Sequence, residues 1–416
     1  MAKFIINGGQ ALSGNVQISG SKNAALPLIA ASILVREIRL SNVPRIKDVE
    51  NMLEIVDFLG GSFEWLGEND LKINTEKLVS KPLPEAARKL RASILFAGPM
   101  LARFGEAELP YPGGDVIGAR PLDTHLDAFR KLGVDVAERE NLCLKVNKLN
   151  GAKIVLSEPS VTATENVLLL AAGMDKDAEI RLAAAEPHVQ DLCKFLKAAG
   201  AQISGVGTTT LKIRGGKIFL KNVEHEVIPD DLEISTFAVL AASTKSQVTL
   251  SAVNFEYLDS VLLQLEKMSV NFKREENSLT ILQPVSAYKS FRIQSGLYPK
   301  LVCDHLPPFA VLATQAEGAS LVHEWLYEAR QSYLRELMKM GANAVIMDPH
   351  RALILGPTPL YGKEVESYDI RSGMTMVVAA LVAQGQTTIS GVEHIDRGYE
   401  KLAERLKSIG ADIKRI

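Results

Sequence analysis

Hydrophobic and polar positions recur in a fixed order along this chain. An amphipathic helix ends at a glycine or another small residue, and an alternating strand pair follows. The helix ends fall at Leu59-Gly60-Gly61, Leu132-Gly133-Val134, Ala199-Gly200-Ala201, Met268-Ser269-Val270, Met340-Gly341-Ala342 and Ile409-Gly410-Ala411. Their spacings are 73, 67, 69, 72 and 69 residues, and a sixth of the 416-residue chain is about 69, so six units fill it. Glycine stops a helix because it accepts positive φ without a Cβ penalty; Ser269 is a weaker stop. Alternation predicts strands at 71–74, 144–147, 211–214, 279–282 and 353–356, and the sixth runs out at Ile413-Lys414-Arg415-Ile416. The chain start, 4–7 through 16–18, resembles 144–147 through 154–156. The N-terminal strands are therefore expected to complete the C-terminal unit.

A second helix in each unit is apolar nearly all round: 23–35, 91–104, 163–174, 234–244, 307–316 and 372–383. A helix without a polar face belongs inside a core. The expected fold is α/β, two domains of three units each, with helices inside and sheets outside. The expected domains are 21–229 and 1–20 plus 230–416, with crossings near Gly20-Ser21 and Pro229-Asp230.

Composition narrows the function. With 47% hydrophobic and 23% charged residues the chain can bury a core, which excludes wholesale disorder. Lys and Arg number 47 against 49 Asp and Glu, a net charge of −2, unlike a generally basic nucleic-acid binder. Any anionic ligand must meet a local basic cluster. Cys143, Cys193 and Cys303 are far apart and form no CxxC, which fits a reducing compartment rather than a disulfide framework. Residues 1–9 show no signal-peptide core, and the longest apolar stretch, near 24–35, is short of the ~20 residues that span a membrane. A soluble cytoplasmic protein without a membrane or nucleic-acid partner is expected; its oligomeric state is left open.

Lys22, Arg91 and Arg371 sit where apolar helices begin, Arg120 follows the Gly-rich loop 112–119, and Arg397 lies in His394-Ile395-Asp396-Arg397-Gly398-Tyr399. Helix N-termini favour anions, and Arg can fork onto phosphate or carboxylate. The plainer reading is surface cations at helix ends. Bases at N-termini run against the helix dipole, which weakens that reading for Lys22, Arg91 and Arg371. No GxxxxGK[ST] loop, no GxGxxG in a βαβ context and no metal-ligand His spacing is present. His394 reads as a structural hydrogen-bonder. Asp396 reads as an N-cap for a helix 397–409, and Asp304 as a cap before the helix 307–316, without excluding a second role as base.

Gly20-Ser21-Lys22-Asn23-Ala24-Ala25-Leu26-Pro27 resembles the N-terminal signature of the UDP-N-acetylglucosamine enolpyruvyl transferases. The resemblance runs through Leu90-Arg91-Ala92-Ser93, Pro112-Gly113-Gly114, Ile117-Gly118-Ala119-Arg120-Pro121-Leu122-Asp123, Ala163-Thr164-Glu165-Asn166, Tyr368-Asp369-Ile370-Arg371 and His394 to Glu400. It implies a two-domain inside-out α/β barrel of six units. It also implies transfer of the enolpyruvyl group of phosphoenolpyruvate to the 3′-hydroxyl of UDP-N-acetylglucosamine, with release of phosphate through a tetrahedral intermediate. This is the first committed step of peptidoglycan synthesis, and the resemblance implies that no metal or organic cofactor is needed. By motif match, Lys22, Arg120 and Arg397 hold phosphoenolpyruvate and its leaving phosphate, supported by Arg91 and Arg371. Asn23 contacts the sugar. Arg120, Pro121, Leu122, Asp123 and Thr124, with Ser160, Val161 and Thr162, flank uridine and diphosphate. Asp304 is the candidate base, Leu326 and Arg330 lie near the substrates, and Asp369 beside Arg371 steers proton movement. The loop 112–120 is expected to be a mobile lid, with open and closed states set by repulsion between cations until anionic substrates arrive.

Several positions depart from the family pattern. Asp115 stands where a reactive Cys is usual; a carboxylic acid there can deliver a proton but resists alkylation by the epoxide fosfomycin. Thr162 replaces a Gly, His188 a Glu, Cys303 and His305 flank the candidate base, and Ala329 replaces an Asn. Two alternatives stay open on sequence alone: a non-catalytic paralogue that binds UDP-sugar, and an enolpyruvyl transferase with another acceptor.

Overall fold

The computed structural model of the chain describes residues 2–115, 117–216, 218–219 and 221–416. Val116, in the Gly-rich loop, lies outside the described residues. All six expected helix stops are left-handed: φ is 94° at Gly60, 89° at Gly133, 114° at Gly200, 63° at Ser269, 104° at Gly341 and 95° at Gly410.

The first repeat carries helices α1 (Lys22–Ala31) and α2 (Lys47–Phe58), the second α3 (Ala97–Phe104) and α4 (Asp123–Lys131). The third carries α5 (Val161–Ala172) and α6 (Pro187–Ala199), the fourth α7 (Asp231–Ser243) and α8 (Asp259–Lys267). The fifth carries α9 (Leu306–Thr314) and α10 (Tyr333–Lys339), and the sixth α11 (Ile370–Val382), α12 (Glu393–Asp396) and α13 (Leu402–Ser408). The first helix of each repeat is the buried one. Every residue of α7 is buried, as is α5 from Ala163 onward. By contrast, α2 buries Val49, Met52, Leu53, Ile55 and Val56 and turns Glu54 and Asp57 to solvent, as its 3.6-residue period dictates. The second buried segment differs from expectation at its start: Arg91–Phe96 is a 3₁₀ stretch, and the α-helix begins only at Ala97.

The chain divides into two compact units. Unit 1 comprises Met1–Ser19, Asp115–Ala119 and Pro229–Ile416; unit 2 comprises Gly20–Gly114 and Arg120–Ile228. Loop residues Asp115–Ala119, which the sequence reading kept within 21–229, group with unit 1. Within unit 1, Ala119 N donates to Glu328 Oε1 at 2.9 Å and Ala329 N to Ile117 O at 3.2 Å, while Asp115 pairs with Arg397.

Each unit closes on itself by lending strands between repeats. In unit 2, Asn222–Glu226, from the end of the third repeat, pairs in parallel with Glu37–Ser41 of the first. In unit 1, Lys3–Asn7 lies antiparallel between Gln386–Ser390 and Asp412–Arg415, filling the place of the missing sixth-repeat strand. Ser13–Gln17 instead runs parallel to Gln247–Ser251 of the fourth repeat. Phe4 and Ile6 alternate inward along the first strand and are buried. The unit 1 core is built around Phe237, Phe309 and Tyr333, and Phe96, Phe129 and Phe195 are among the largest buried side chains of unit 2. Each unit, with helices inside and sheets outside, is an inside-out α/β barrel. Among the described residues no helix is long and apolar enough to cross a membrane.

Candidate functional site

In unit 2 the predicted residues cluster around helix starts. Ser21 caps α1 by accepting from Ala24 N, which leaves Lys22 and Asn23 as the first helical residues, both half-buried. Lys22 Nζ lies 3.3 Å from Asp48 Oδ2, and Asp48, in the first turn of α2, is buried. The sequence reading missed Asp48; its only signal was an acid among the apolar positions of that turn. Arg91 donates to the carbonyl oxygens of Arg120 and Pro121, so two predicted residues meet through main chain. Gly114, with φ 114°, leaves room for them: a Cβ there would lie 2.9 Å from Arg91 Cβ and 3.1 Å from Arg120 Nη2.

Leu122 leads into α4, with Asp123 exposed and Thr124 and His125 buried in its first turn. Thr124 Oγ1 is 2.8 Å from Ser157 Oγ. Ser160 caps α5 by accepting from Ala163 N at 3.3 Å, which sets Val161 and Thr162 at its start. Thr162 Oγ1 is 2.9 Å from His125 Nε2. His125 was also missed by sequence; it lies two residues beyond Asp123, on a turn where the reading stopped.

In unit 1 the predicted residues form two groups. The first is a buried charge cluster. Arg330 pairs with Asp304 and, at 3.3 Å, with Asp369; Arg371 Nε reaches Asp304 Oδ2 at 3.1 Å and its Nη1 reaches the Tyr399 hydroxyl at 3.2 Å. Burial alone would lower the Arg330 pKa, yet Asp304 and Asp369 carry it above its ordinary value. Arg371 behaves alike, through Tyr399, Asp304 and Asp230. Asp369 also caps α11, in a capping box with Ser372, so it fixes Arg371 in the first helical turn rather than before the helix. Asp304 is not a cap. It sits in the 3₁₀ turn Cys303–His305, and no side chain caps α9. The turn is held on its other side by His305, buried, with Nε2 3.2 Å from Asp231 Oδ2. Glu324, buried, accepts from Leu326 N at 2.7 Å and Tyr327 N at 3.2 Å, shaping the turn between exposed Leu326 and buried Arg330.

The second group is the Arg397–Asp115 ion pair. Arg397 follows α12, and the expected helix 397–409 does not exist as one element: α12 ends at Asp396 and α13 starts at Leu402, after Lys401 at φ 45°. Asp396 therefore caps nothing there; it holds Arg415 through two contacts at 2.7 and 2.6 Å. A carboxylate with two buried guanidinium partners and a second carboxyl on a loop beside Arg397 can move protons and hold anions.

A family model described as EPSP synthase (3-phosphoshikimate 1-carboxyvinyltransferase) matches residues 6–406. The chain is 44% identical to a UDP-N-acetylglucosamine 1-carboxyvinyltransferase of Treponema denticola, covering 100% of this chain and 99% of that one. It is 42% identical to a protein of the same name from Bradyrhizobium diazoefficiens, covering 100% and 98%. Among solved structures, the enolpyruvyl transferase NikO from Streptomyces tendae matches with TM-score 0.90 at 23% identity, covering 100% of this chain and 98% of that one. An EPSP synthase from Acinetobacter baumannii matches with TM-score 0.77 at 18% identity, covering 100% of each. At those identities the two structures speak to the fold alone.

Proposed function

We propose a reaction for this chain from the family to which it belongs, the EPSP synthase (3-phosphoshikimate 1-carboxyvinyltransferase) family. The chain transfers the enolpyruvyl group of phosphoenolpyruvate to the 3′-hydroxyl of UDP-N-acetylglucosamine and releases phosphate, a step of peptidoglycan synthesis. The observation that carries the choice of acceptor is the full-length similarity, at 42–44% identity, to enzymes named for that sugar nucleotide. A cytoplasmic location fits both substrates.

The residues take roles the chemistry requires. Asp304, ion-paired with Arg330 and Arg371, is a carboxylate that accepts the proton of the sugar hydroxyl. The hydroxyl oxygen then bonds to C2 of phosphoenolpyruvate while C3 gains a proton, delivered by Asp115. From the tetrahedral intermediate the C2–O bond to phosphate breaks, C3 gives its proton back, and the enol ether forms. Lys22, Arg120 and Arg397 take the phosphate, and Arg91 and Arg371 support the anions. The Asp115–Arg397 ion pair fits this reading: an incoming phosphate competes for Arg397 and frees the Asp115 carboxylate to take up a proton from solvent, which it then delivers to C3. Ser160, Val161 and Thr162, at a helix start, suit the diphosphate.

The test is phosphate release from phosphoenolpyruvate with and without UDP-N-acetylglucosamine, in wild type and Asp115→Asn. Sugar-dependent release that falls about 10²- to 10⁴-fold in the variant is expected. Release independent of the sugar, or none from folded wild type, refutes the reading. Fosfomycin should leave the wild type active at concentrations that titrate a Cys-loop enzyme.

A further inference from the structure

The departure at position 162 has a partner in the structure. Thr162, in the first turn of α5, faces His125, in the first turn of α4, at 2.9 Å between Oγ1 and Nε2. The His125 side chain is only 2% exposed. Its Nδ1 is buried and makes no hydrogen bond among the described residues. The Thr162 hydroxyl can donate or accept, so its bond to Nε2 forms with either neutral tautomer of the ring. A second tie runs parallel to the first: Thr124 Oγ1 to Ser157 Oγ at 2.8 Å, from the same turn of α4 to the strand Ala152–Ser160 that leads into α5. A glycine at 162 would leave the imidazole without its hydroxyl partner.

We propose that His125 and Thr162 form a positioning pair that locks the first turn of α5 to the first turn of α4 and so presets Ser160, Val161 and Thr162 for the diphosphate of the sugar nucleotide. This rests on the acceptor assigned in the preceding subsection. Burial and then the nearby Arg91 push the His125 pKa down to about 3, so the ring stays uncharged at any pH where the enzyme works. The pair therefore acts by geometry. A hydrogen bond to a neutral ring holds the free N–H groups of the α5 start in place before the ligand arrives, which spares ordering cost on binding.

The experiment is calorimetric binding of UDP-N-acetylglucosamine to the whole enzyme, with steady-state kinetics for both substrates, in wild type, Thr162→Val, Thr162→Ser, His125→Phe and the double variant Thr162→Val with His125→Phe. Thr162→Val should raise Kd and KM for the sugar nucleotide about fivefold to tenfold, the value of one buried hydrogen bond, while KM for phosphoenolpyruvate and kcat stay within about twofold. Thr162→Ser should restore binding. The double variant should bind no worse than the weaker single one, because both changes remove the same interaction. Wild-type affinity in Thr162→Val, failure of Ser to rescue, additive losses, or a parallel change in both KM values and kcat each overturn the pair. If wild type itself binds no UDP-N-acetylglucosamine, the acceptor assignment falls and this inference falls with it.

Discussion

Unit 1 neutralises its predicted site arginines with its own carboxylates, whereas unit 2 relies more on helix starts and main-chain oxygens. In unit 1, Arg330 and Arg371 share Asp304, Arg330 adds Asp369, and Arg397 holds Asp115. In unit 2, Lys22 meets Asp48, Arg91 bonds carbonyls, and hydroxyl pairs brace the starts of α4 and α5. Under the proposed reaction, both carboxylates that would move protons, Asp304 and Asp115, lie in unit 1, each beside guanidinium partners. The difference teaches that the same repeat can be specialised at its helix starts without altering its core.

The largest test of that contrast is stability after removal of one cation from each unit. Arg330→Met strips buried Asp369 and half-buried Asp304 of a shared partner and should cost about 3–5 kcal/mol, read from the urea midpoint. Lys22→Met removes one longer contact at 3.3 Å and should cost about 1–2 kcal/mol. Equal losses would break the comparison.

A smaller effect separates the units by pH. His125 of unit 2 has its pKa lowered to about 3, so the unfolded chain takes up a proton that the native ring refuses. Its stabilisation is whole above about pH 6.5 and is lost as pH falls from there toward 3. Asp230 of unit 1, the cap of α7, is raised to about 6, chiefly by burial and further by Asp231 and Glu233 against Arg371. Its contribution is whole below its ordinary value of 3.8 and is lost as pH rises through 6. The stability gap between wild type and His125→Phe should therefore shrink from pH 7 to 4.5, and the wild type should gain on Asp230→Asn over the same range. Denaturation of the three proteins at pH 4.5, 5.5 and 7.0 reads both slopes, and slopes of the same sign would end the contrast.

What the sequence revealed and what it hid divide along the range of the interactions. Helix interiors, stops and the borrowed first strand are written locally, in apolar periodicity and in single glycines. The destination of Ser13–Gln17 is not, because its partner Gln247–Ser251 is remote and any of several parallel edges would accept an alternating strand. The break between α12 and α13 was invisible because Ile395, Tyr399, Leu402 and Leu406 keep a helical rhythm across it, and all four are buried. Asp304 looked like a cap since nothing nearby in sequence marks Arg330 and Arg371 as its partners. The motif positions were legible as a set, while their bonding needed the fold: Thr162 read only as a departure until His125 appeared opposite it.

The smallest effects test whether the two units share one repeat, at the helix stops. At Gly133 of unit 2 a Cβ would meet the Lys148 carbonyl oxygen at 1.8 Å, so Gly133→Ala adds a main-chain clash to the left-handed strain and should cost more than 2 kcal/mol, roughly. At Gly200 the nearest atom to a Cβ is Ile218 Cγ2 at 3.9 Å, so Gly200→Ala adds strain alone, about 1–2 kcal/mol. Ser269 of unit 1 already bears that strain at φ 63°. Ser269→Gly relieves it, but glycine also frees the unfolded chain, which offsets roughly half the gain; a net stabilisation of about 0.5 kcal/mol is expected. If Ser269→Gly destabilises instead, the serine hydroxyl makes a bond that the repeat in unit 2 has no counterpart for, and the six stops are alike in backbone only.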